Sequence, residues 1–293
     1  MLWPKNLSKK IKTKTKLANL TSFKIGGPAK FFFEPADIKS LQRVLALAWR
    51  SGIKVFILGS GSNVLVSDSG VDGLVIRLTA KVFRANHAQG TCIIAGGASK
   101  LSQLILFAQK KGLTGLEFLA GIPGTLGGAL AGNAGAWDRS IGKLVKQVDV
   151  LDYRGIPRII NYKELKFAYR KSNLDKCVII SATLRLQAAD RNSIVQKIKD
   201  YLLKRSKTQD HRLPNAGCIF KNPGRNLAGA LIDKCGLKGK ARGGASVSRT
   251  HANFILNSHQ AKSGDVLALM DLIQKKIKSR FKVKLKPEIK IWK

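Results

Sequence analysis

The chain has 293 residues, 44% of them hydrophobic, and a formal charge of +36. That is ample for one large core or two to three small ones, and no run approaches the roughly 18 apolar residues of a membrane span. Lys and Arg are spread from end to end and acidic residues are scarce throughout. The charge therefore reads as a solvated basic surface that favours anionic ligands, rather than as a nucleic-acid reader with a defined basic arm. Four cysteines (Cys92, Cys177, Cys218, Cys235) without C-x-x-C spacing, and four scattered histidines, argue against a zinc site and for reduced thiols in the cytoplasm. The first 16 residues are charged and lack an apolar stretch, so no signal peptide is expected.

Residues 1–20, rich in Lys, read as a partly ordered lead-in. Residues 31–33 form a short strand ended by Pro35. Asp37 is placed to cap a helix whose apolar spacing runs through Ile38, Leu41, Val44, Leu45, Leu47 and Ala48. Strands follow at 54–58, 63–66 and 74–78, separated by the turn signals Ser69-Gly70 and Asp72-Gly73. Residues 92–95 are a further strand and 101–111 an amphipathic helix stopped by Gly112. Strands are expected at 148–153 and 177–186 and a helix at 193–207, with Ile194, Ile198, Leu202 and Leu203 on one face. The last third carries helices near 228–235 and 263–281 and strands near 244–246 and 254–256. There is no internal repeat. The order is α+β, with boundaries drawn near residues 80 and 190.

Several segments carry chemistry. Leu58-Gly59-Ser60-Gly61-Ser62-Asn63 follows a strand, and its small residues can turn several N–H groups toward a pyrophosphate. Position 64 is Val and no long helix follows, which excludes a nicotinamide-type Rossmann fingerprint. A glycine-rich hairpin explains the loop about as well. The run Gly121-Ile122-Pro123-Gly124-Thr125, continuing through Gly127, Gly128, Gly132, Asn133 and Gly135, has a high entropic cost of ordering. A flat or phosphorylated cofactor lying against the backbone accounts for it, and close packing of helices through small residues is the alternative.

In Tyr169-Arg170-Lys171-Ser172 the guanidinium of Arg170 can clamp a carboxylate as a bidentate fork, although any single Arg in so basic a chain is ordinarily a surface group. Pro214-Asn215-Ala216-Gly217-Cys218-Ile219-Phe220-Lys221-Asn222-Pro223 holds a thiol in a turn of small residues, with a cation and an amide after it. Read alone, Cys218 is a packed core thiol; Lys221 and Arg225 nearby can lower its pKa toward neutrality, a thiol that donates a proton fits better than one that attacks, and the orientation of His211 is open. Glu288 supplies a carboxylate in Leu285-Lys286-Pro287-Glu288-Ile289-Lys290, and read alone it is a surface residue.

Taken together, these segments resemble the UDP-N-acetylenolpyruvoylglucosamine reductases, the MurB family. The resemblance extends over Asn19-Leu20-Thr21-Ser22-Phe23-Lys24-Ile25-Gly26-Gly27, over Leu58 to Asp68, over Gly115 to Thr125, over Tyr169-Arg170-Lys171-Ser172, over Ala216 to Pro223, and over Arg242-Gly243-Gly244-Ala245 to Ala252-Asn253-Phe254. It implies a FAD-binding domain of the vanillyl-alcohol-oxidase (PCMH) type in two α+β subdomains, 1–80 and 81–189. A C-terminal α+β substrate-binding domain, 190–293, completes the chain, with a return of the last strand to the FAD domain left open. The single helix between Leu186 and Pro214 is similar to the shorter subtype that lacks the extra substrate-closing loop.

The implied activity is NADPH-dependent reduction of the enolpyruvyl UDP-sugar to UDP-N-acetylmuramate for peptidoglycan, with noncovalent FAD. Hydride goes from flavin N5 to C3 and a proton to C2. By resemblance the catalytic residues are Arg170, Cys218 and Glu288. The cofactor residues are Leu58, Gly59, Ser60, Gly61, Ser62, Asn63, Gly121, Ile122, Pro123, Gly124 and Thr125, and the substrate contacts are Tyr169, Lys221 and Asn222. The family ordinarily has Ser where this chain has Cys218. A thiol, with a reference pKa of about 8.5, is a much stronger acid than an alcohol, so proton delivery stays feasible. Ser60 stands where Gly is frequent, and Lys290 stands where Arg is common. A small-alcohol oxidase on the same fold is the competing enzyme reading; such enzymes often tether flavin through His or Cys, and neither loop contains one. A basic nucleic-acid-binding protein is the non-enzymatic alternative, and no reader motif accompanies it.

Overall fold

The computed structural model describes residues 3–209, 213–224 and 226–293. His211 and Arg225, both weighed above as neighbours of Cys218, lie outside the described residues. Contacts divide the chain into two units. One comprises Met1–Thr13, Phe31–Ser60 and Gly73–Arg205, and the other comprises Lys14–Lys30, Gly61–Asp72 and Ser206–Lys293.

Two cores build the first unit. In the first, Asp37 accepts from the Ser40 N–H at 2.7 Å while Ser40 Oγ accepts from the Asp37 N–H at 3.3 Å. This reciprocal cap starts helix Ile38–Arg50. The bonds from Ser40, main chain first, hold the Asp37 carboxyl below its ordinary range. The 3.6-residue period then puts Leu41, Val44, Leu45 and Ala48 on one buried face, packed with Leu74 and Ile76. Each fully buried Leu or Val contributes about 1.5–3 kcal/mol. Strand Val55–Leu58 pairs in parallel with the stretch from Leu74 to Arg77, so its C-terminal end delivers Gly59 to the next loop.

The second core lies on a five-stranded antiparallel sheet. Its order is Pro157–Asn161, Val145–Asp152, Cys177–Arg185, Cys92–Gly96, Asn86–Gln89. Helix Leu101–Lys110 buries Leu101, Leu104, Ile105 and Ala108 in the same cluster as Val148, Val150 and Ala182. The glycine-rich run contains a helix the sequence does not announce, Leu126–Ala131, capped by Thr125 Oγ1 accepting from the Gly128 N–H. The Gly127 N–H donates to the Gly97 carbonyl at 2.7 Å, and a Cβ at Gly127 would stand 3.0 Å from that oxygen. At this position the glycine serves close main-chain packing, the alternative left open above.

The second unit is built on a four-stranded antiparallel sheet in the order Asn215–Cys218, Phe254–Asn257, Ala245–Val247, Ala241–Arg242. Helices Ala228–Lys234 and Ser263–Phe281 bury Ala228, Leu231, Ile232, Val266, Leu269, Met270 and Ile273 in its core. Phe23, Ile25 and Leu65 complete that core from distant parts of the chain. The N-terminal lead-in is more ordered than its composition suggests. Lys12–Lys16 is a strand, and the 3-10 turn Leu17–Leu20 buries Leu17 and Ala18, with the Leu17 N–H bonded to the Gly27 carbonyl at 3.0 Å. Strand Lys290–Trp292 lies parallel to Val64–Val66. Among the described residues no helix is long and apolar enough to cross a membrane, and no group of His, Cys, Asp or Glu is placed to hold a metal ion.

Candidate active site

Cys218 ends a strand that carries one extra residue. Strand Asn215–Cys218 pairs Asn215 with Leu256 and Cys218 with Phe254, so three steps on one strand meet two on the other. The bulge is closed by Gly217 at φ +72, a conformation that needs glycine, and by Asn215 Oδ1 accepting from the Gly217 N–H at 3.0 Å. Beyond the bulge Ile219 and Phe220 are buried, whereas Cys218 is half-buried.

A buried amide fixes the main chain just past the thiol. Asn253, 3% exposed, accepts from the Phe220 N–H at 3.0 Å and donates to the Phe220 carbonyl at 2.8 Å. The Ile219 N–H bonds to the Asn253 carbonyl at 2.9 Å. On the other side the Glu288 N–H donates to the Ile219 carbonyl at 2.8 Å and the Lys221 N–H to the Lys286 carbonyl at 2.9 Å. The main chain at Glu288 is therefore hydrogen-bonded to the residue next to Cys218 in the chain.

Loop residues 61–63 join the same cluster. The Gly61 carbonyl accepts from the N–H and Oγ of Ser22, at 3.0 and 3.2 Å, and the same Oγ lies 2.7 Å from the Asn215 carbonyl. Gly61 has φ +66, and a Cβ there would stand 2.4 Å from the Leu20 carbonyl oxygen. Asn63 accepts from the Lys290 N–H at 3.1 Å and donates through Nδ2 to the Glu288 carbonyl at 3.4 Å. The second unit thus gathers Gly61, Ser62, Asn63, Cys218, Lys221 and Glu288. Asn222 has a main-chain duty as well, because its Oδ1 accepts from the Ala228 N–H at 3.0 Å where helix Ala228–Lys234 begins.

The first unit holds the rest. Gly59 and Thr125 meet: a Cβ at Gly59 would stand 2.8 Å from Thr125 Oγ1. The Gly124 carbonyl accepts from the Leu101 N–H at 3.0 Å, and the Ile122 N–H closes a turn on the Leu119 carbonyl at 3.0 Å. Two segments predicted to hold one cofactor, residues 58–60 and 121–125, are therefore adjacent. Arg170 sits at the turn of the hairpin Phe167–Ala168/Lys171–Ser172, with φ +53. Its Nη1 donates to the Gly135 carbonyl at 2.8 Å, and its guanidinium lies 5.5 Å from the ring centre of Tyr169, which is largely exposed. The hairpin is tied down by Asn133, which donates to the Ala168 carbonyl at 2.9 Å and accepts from the Gly142 N–H at 3.1 Å. Ser172 Oγ adds a bond to the Ala131 carbonyl at 3.0 Å.

Sequence reasoning gave no role to Asn253, Ser22 or Asn133. All three fall inside short polar-glycine motifs, and a polar residue embedded in apolar or glycine neighbours was the available signal.

This arrangement of an antiparallel sheet, a glycine-rich loop after a parallel strand and a small-residue helix start defines a FAD-binding oxidoreductase fold. Residues 29–159 match the FAD binding domain model, and residues 208–292 match the UDP-N-acetylenolpyruvoylglucosamine reductase C-terminal domain. The chain is 42% identical over 274 residues to UDP-N-acetylenolpyruvoylglucosamine reductase 2 of Symbiobacterium thermophilum, covering 93% of this chain and 89% of that one. It superposes on the crystal structure of UDP-N-acetylenolpyruvylglucosamine reductase (MurB) from Thermus caldophilus with a TM-score of 0.83 and 33% identity, over 97% and 98% of the two chains. A solvent-stable cholesterol oxidase, with a TM-score of 0.52 and 19% identity over 64% of this chain and 40% of that one, shares the fold alone.

The chain belongs to the UDP-N-acetylenolpyruvoylglucosamine reductase (MurB) family. It is a FAD-dependent oxidoreductase of peptidoglycan precursor synthesis that acts on a UDP-sugar, with a FAD-binding domain of the vanillyl-alcohol-oxidase type and a C-terminal α+β domain.

The residues present fit FAD. At Gly59 only hydrogen can face Thr125 Oγ1, so the two glycine-rich segments meet closely at the end of strand Val55–Leu58, where small residues suit a phosphorylated group. Ser99 Oγ, in a residue 1% exposed, has no hydrogen-bond partner among the described residues. Its own carbonyl accepts from the Leu126 N–H at 2.9 Å, next to the cap at Thr125. A buried hydroxyl left over beside the glycine-rich turn suits a polar ligand atom.

Proposed function

We propose that the chain reduces UDP-N-acetylenolpyruvoylglucosamine at the expense of NADPH, with Arg170, Cys218 and Glu288 as its catalytic residues. Bound FAD would supply the hydride-transfer chemistry between NADPH and C3 of the enolpyruvyl group. The residues proposed to hold it are Leu58, Gly59, Ser60, Gly61, Ser62 and Asn63 and the turn Gly121, Ile122, Pro123, Gly124 and Thr125, mostly through main-chain N–H groups. The chain's own task is then the negative charge that develops at C2 and spreads into the neighbouring carboxylate. Arg170 meets that carboxylate as a planar fork. Glu288 contacts the enolpyruvyl carboxylate or enolate, and Cys218 gives its proton to C2. Lys221 and Asn222 contact the diphosphate region, with Tyr169 beside Arg170.

The observation that carries this reading is the junction at Cys218. A glycine bulge comes just before the half-buried Cys218, and the next residue, Ile219, is hydrogen-bonded to the main chain of Glu288. The expected division into FAD subdomains 1–80 and 81–189 and a substrate domain 190–293 does not follow the cores residue by residue: Phe83, Ala98, Leu151 and Val178 share the core of helix Ile38–Arg50, and Phe23, Ile25 and Leu65 share that of the second unit. The expected compartment is the cytoplasm, where both nucleotide substrates are made.

Separating the half-reactions tests the reading. In anaerobic stopped-flow, Cys218→Ala is expected to leave flavin reduction by NADPH at the wild-type rate and to block reoxidation by the UDP-sugar. Cys218→Ser, which restores a hydroxyl donor, is expected to keep substantial turnover. Equal reoxidation rates in Cys218→Ala and wild type would remove Cys218 from the mechanism.

A further inference from the structure

Trp137 stands in a conformation that its residue type disfavours. The hairpin Gly135–Ala136/Arg139–Ser140 has a two-residue turn in which Trp137 and Asp138 have φ +50 and +59. Positive φ at both positions is the mirror-type turn that favours Asn and Gly, and a bulky aromatic there is strained. Core burial does not compensate, because Trp137 is 41% exposed.

Its ring is instead fixed from the side. It lies 4.8 Å from the ring of Tyr201, and the guanidinium of Arg205 stands 4.9 Å above it. Both partners are on helix Arg191–Thr208. Arg205 is itself anchored through Nε on the Ala120 carbonyl at 3.0 Å. A Cβ at Gly121 would stand 2.7 Å from Arg205 Cδ. Two residues before Trp137, the Gly135 carbonyl accepts from Arg170 Nη1.

We propose that Trp137 is a positioning residue for Arg170. Held by Tyr201 and Arg205, it sets the hairpin whose Gly135 carbonyl aims the guanidinium, so local strain is retained in exchange for a fixed direction of the catalytic cation. This rests on the reading of Arg170 as the carboxylate clamp. Arg170 lies in a second left-handed turn, so neither hairpin can shift by relaxing into an ordinary turn without moving the bond between them.

Trp137→Gly is the direct test, since glycine is relaxed at φ +50 and the hairpin can still close. The variant is expected to bind FAD and to be reduced by NADPH like wild type, and to be reoxidised by the UDP-sugar about tenfold to a hundredfold more slowly, the scale of an ångström-level misplacement. Trp137→Phe is expected to recover most of the rate. Tyr201→Ala, which leaves the hairpin sequence intact, is expected to show the same selective loss on a smaller scale; wild-type reoxidation in Tyr201→Ala overturns the proposal even where Trp137→Gly fails to fold.

NMR of the holoenzyme gives a readout apart from turnover. The Arg170 guanidinium nitrogens, assigned by their disappearance in Arg170→Lys, are expected to rotate slowly in wild type and freely in Trp137→Gly. The double variant Trp137→Gly/Arg170→Lys is expected to be no slower than Arg170→Lys alone. If Arg170→Lys is slow while Trp137→Gly reoxidises at the wild-type rate, or if the two losses multiply, the positioning role is wrong. If Arg170→Lys itself turns over like wild type, the clamp reading fails and takes the role of Trp137 with it.

Discussion

Replacing Asn253 by Ala removes both hydrogen bonds that its side-chain amide makes to the Phe220 main chain, at 3.0 and 2.8 Å, in a residue 3% exposed. Each buried main-chain group left unpaired costs about 1–3 kcal/mol, so the pair together costs about 2–6 kcal/mol. That is a large part of the roughly 5–15 kcal/mol by which a folded domain exceeds its unfolded state. The loss falls on the segment between Cys218 and Lys221, because Phe220 is held on one side by Asn253 and its neighbours on the other by Lys286 and Glu288. Amide hydrogen exchange read by NMR on the holoenzyme measures it locally. With about 1.4 kcal/mol per factor of ten, protection of the Phe220 amide is expected to fall at least about 30-fold. Asn253→Asp keeps an acceptor for that amide but faces the Phe220 carbonyl with a second acceptor, so it is expected to retain protection at the Phe220 N–H while lowering the urea midpoint. Unchanged protection in Asn253→Ala refutes the reasoning that this amide holds the catalytic segment in place.

Gly59→Ala is expected to reduce FAD retention on desalting, because the new methyl meets Thr125 Oγ1 at 2.8 Å while that oxygen is held by the Gly128 N–H; a full complement of flavin in the variant contradicts the crowding. Burial pushes the Cys177 thiol up to about 11, with Asp175 adding to the effect. At pH 8 its thiolate fraction is about 0.1%, so alkylation is expected to be about a hundredfold slower than for an ordinary exposed thiol, as peptide mapping after timed iodoacetamide treatment will show. Burial holds the His251 imidazole below its ordinary value, so the unfolded chain takes up the proton first on acidification. The stability it contributes is complete above the ordinary value of 6.5 and is lost as pH falls through the lower folded value. His251→Gln, which keeps an acceptor for the Asn253 N–H, is expected to lose less Tm than wild type between pH 7 and pH 5; parallel Tm curves refute this.

The elements legible in the sequence are those set by local periodicity. Helices Ile38–Arg50, Leu101–Lys110 and Ser263–Phe281 come from apolar spacing and caps, and strand Val55–Leu58 from a short apolar run between glycines. The helix Leu126–Ala131 was not legible, because Gly and Ala give no amphipathic pattern and its start depends on Thr125 and Gly97, which only the fold brings to it. The glycine loops were legible as sites of close approach, but not what each glycine approaches: Gly59 meets the Thr125 hydroxyl and Gly127 the Gly97 carbonyl, yet they look alike in sequence. Cys218 and Glu288 were legible as candidates only through the family resemblance. Their connection through Ile219 was not, because it depends on pairing between segments about 70 residues apart. Nothing in the sequence singles out Arg205 or Trp137, and only their stacking gives them a role.

The pairing of Lys290–Trp292 with Val64–Val66 has a consequence for how the chain is made. Core residues Phe23, Ile25 and Leu65 of the second unit leave the ribosome roughly 200 residues before Ile273, Ile277, Leu285 and Ile289, which share their core. The apolar surface of these early segments must wait through the translation of the intervening chain, with nothing of its own unit to cover it. The loop that carries Gly61 and Asn63 shares this wait, since Ser22, Asn215, Glu288 and Lys290 all hold it. A fragment beginning near residue 208 lacks Phe23, Ile25 and Leu65 altogether, so the region matched as a C-terminal domain is not a unit that can be cut out and refolded by itself. The second unit can close only after both its early and its late segments have been made.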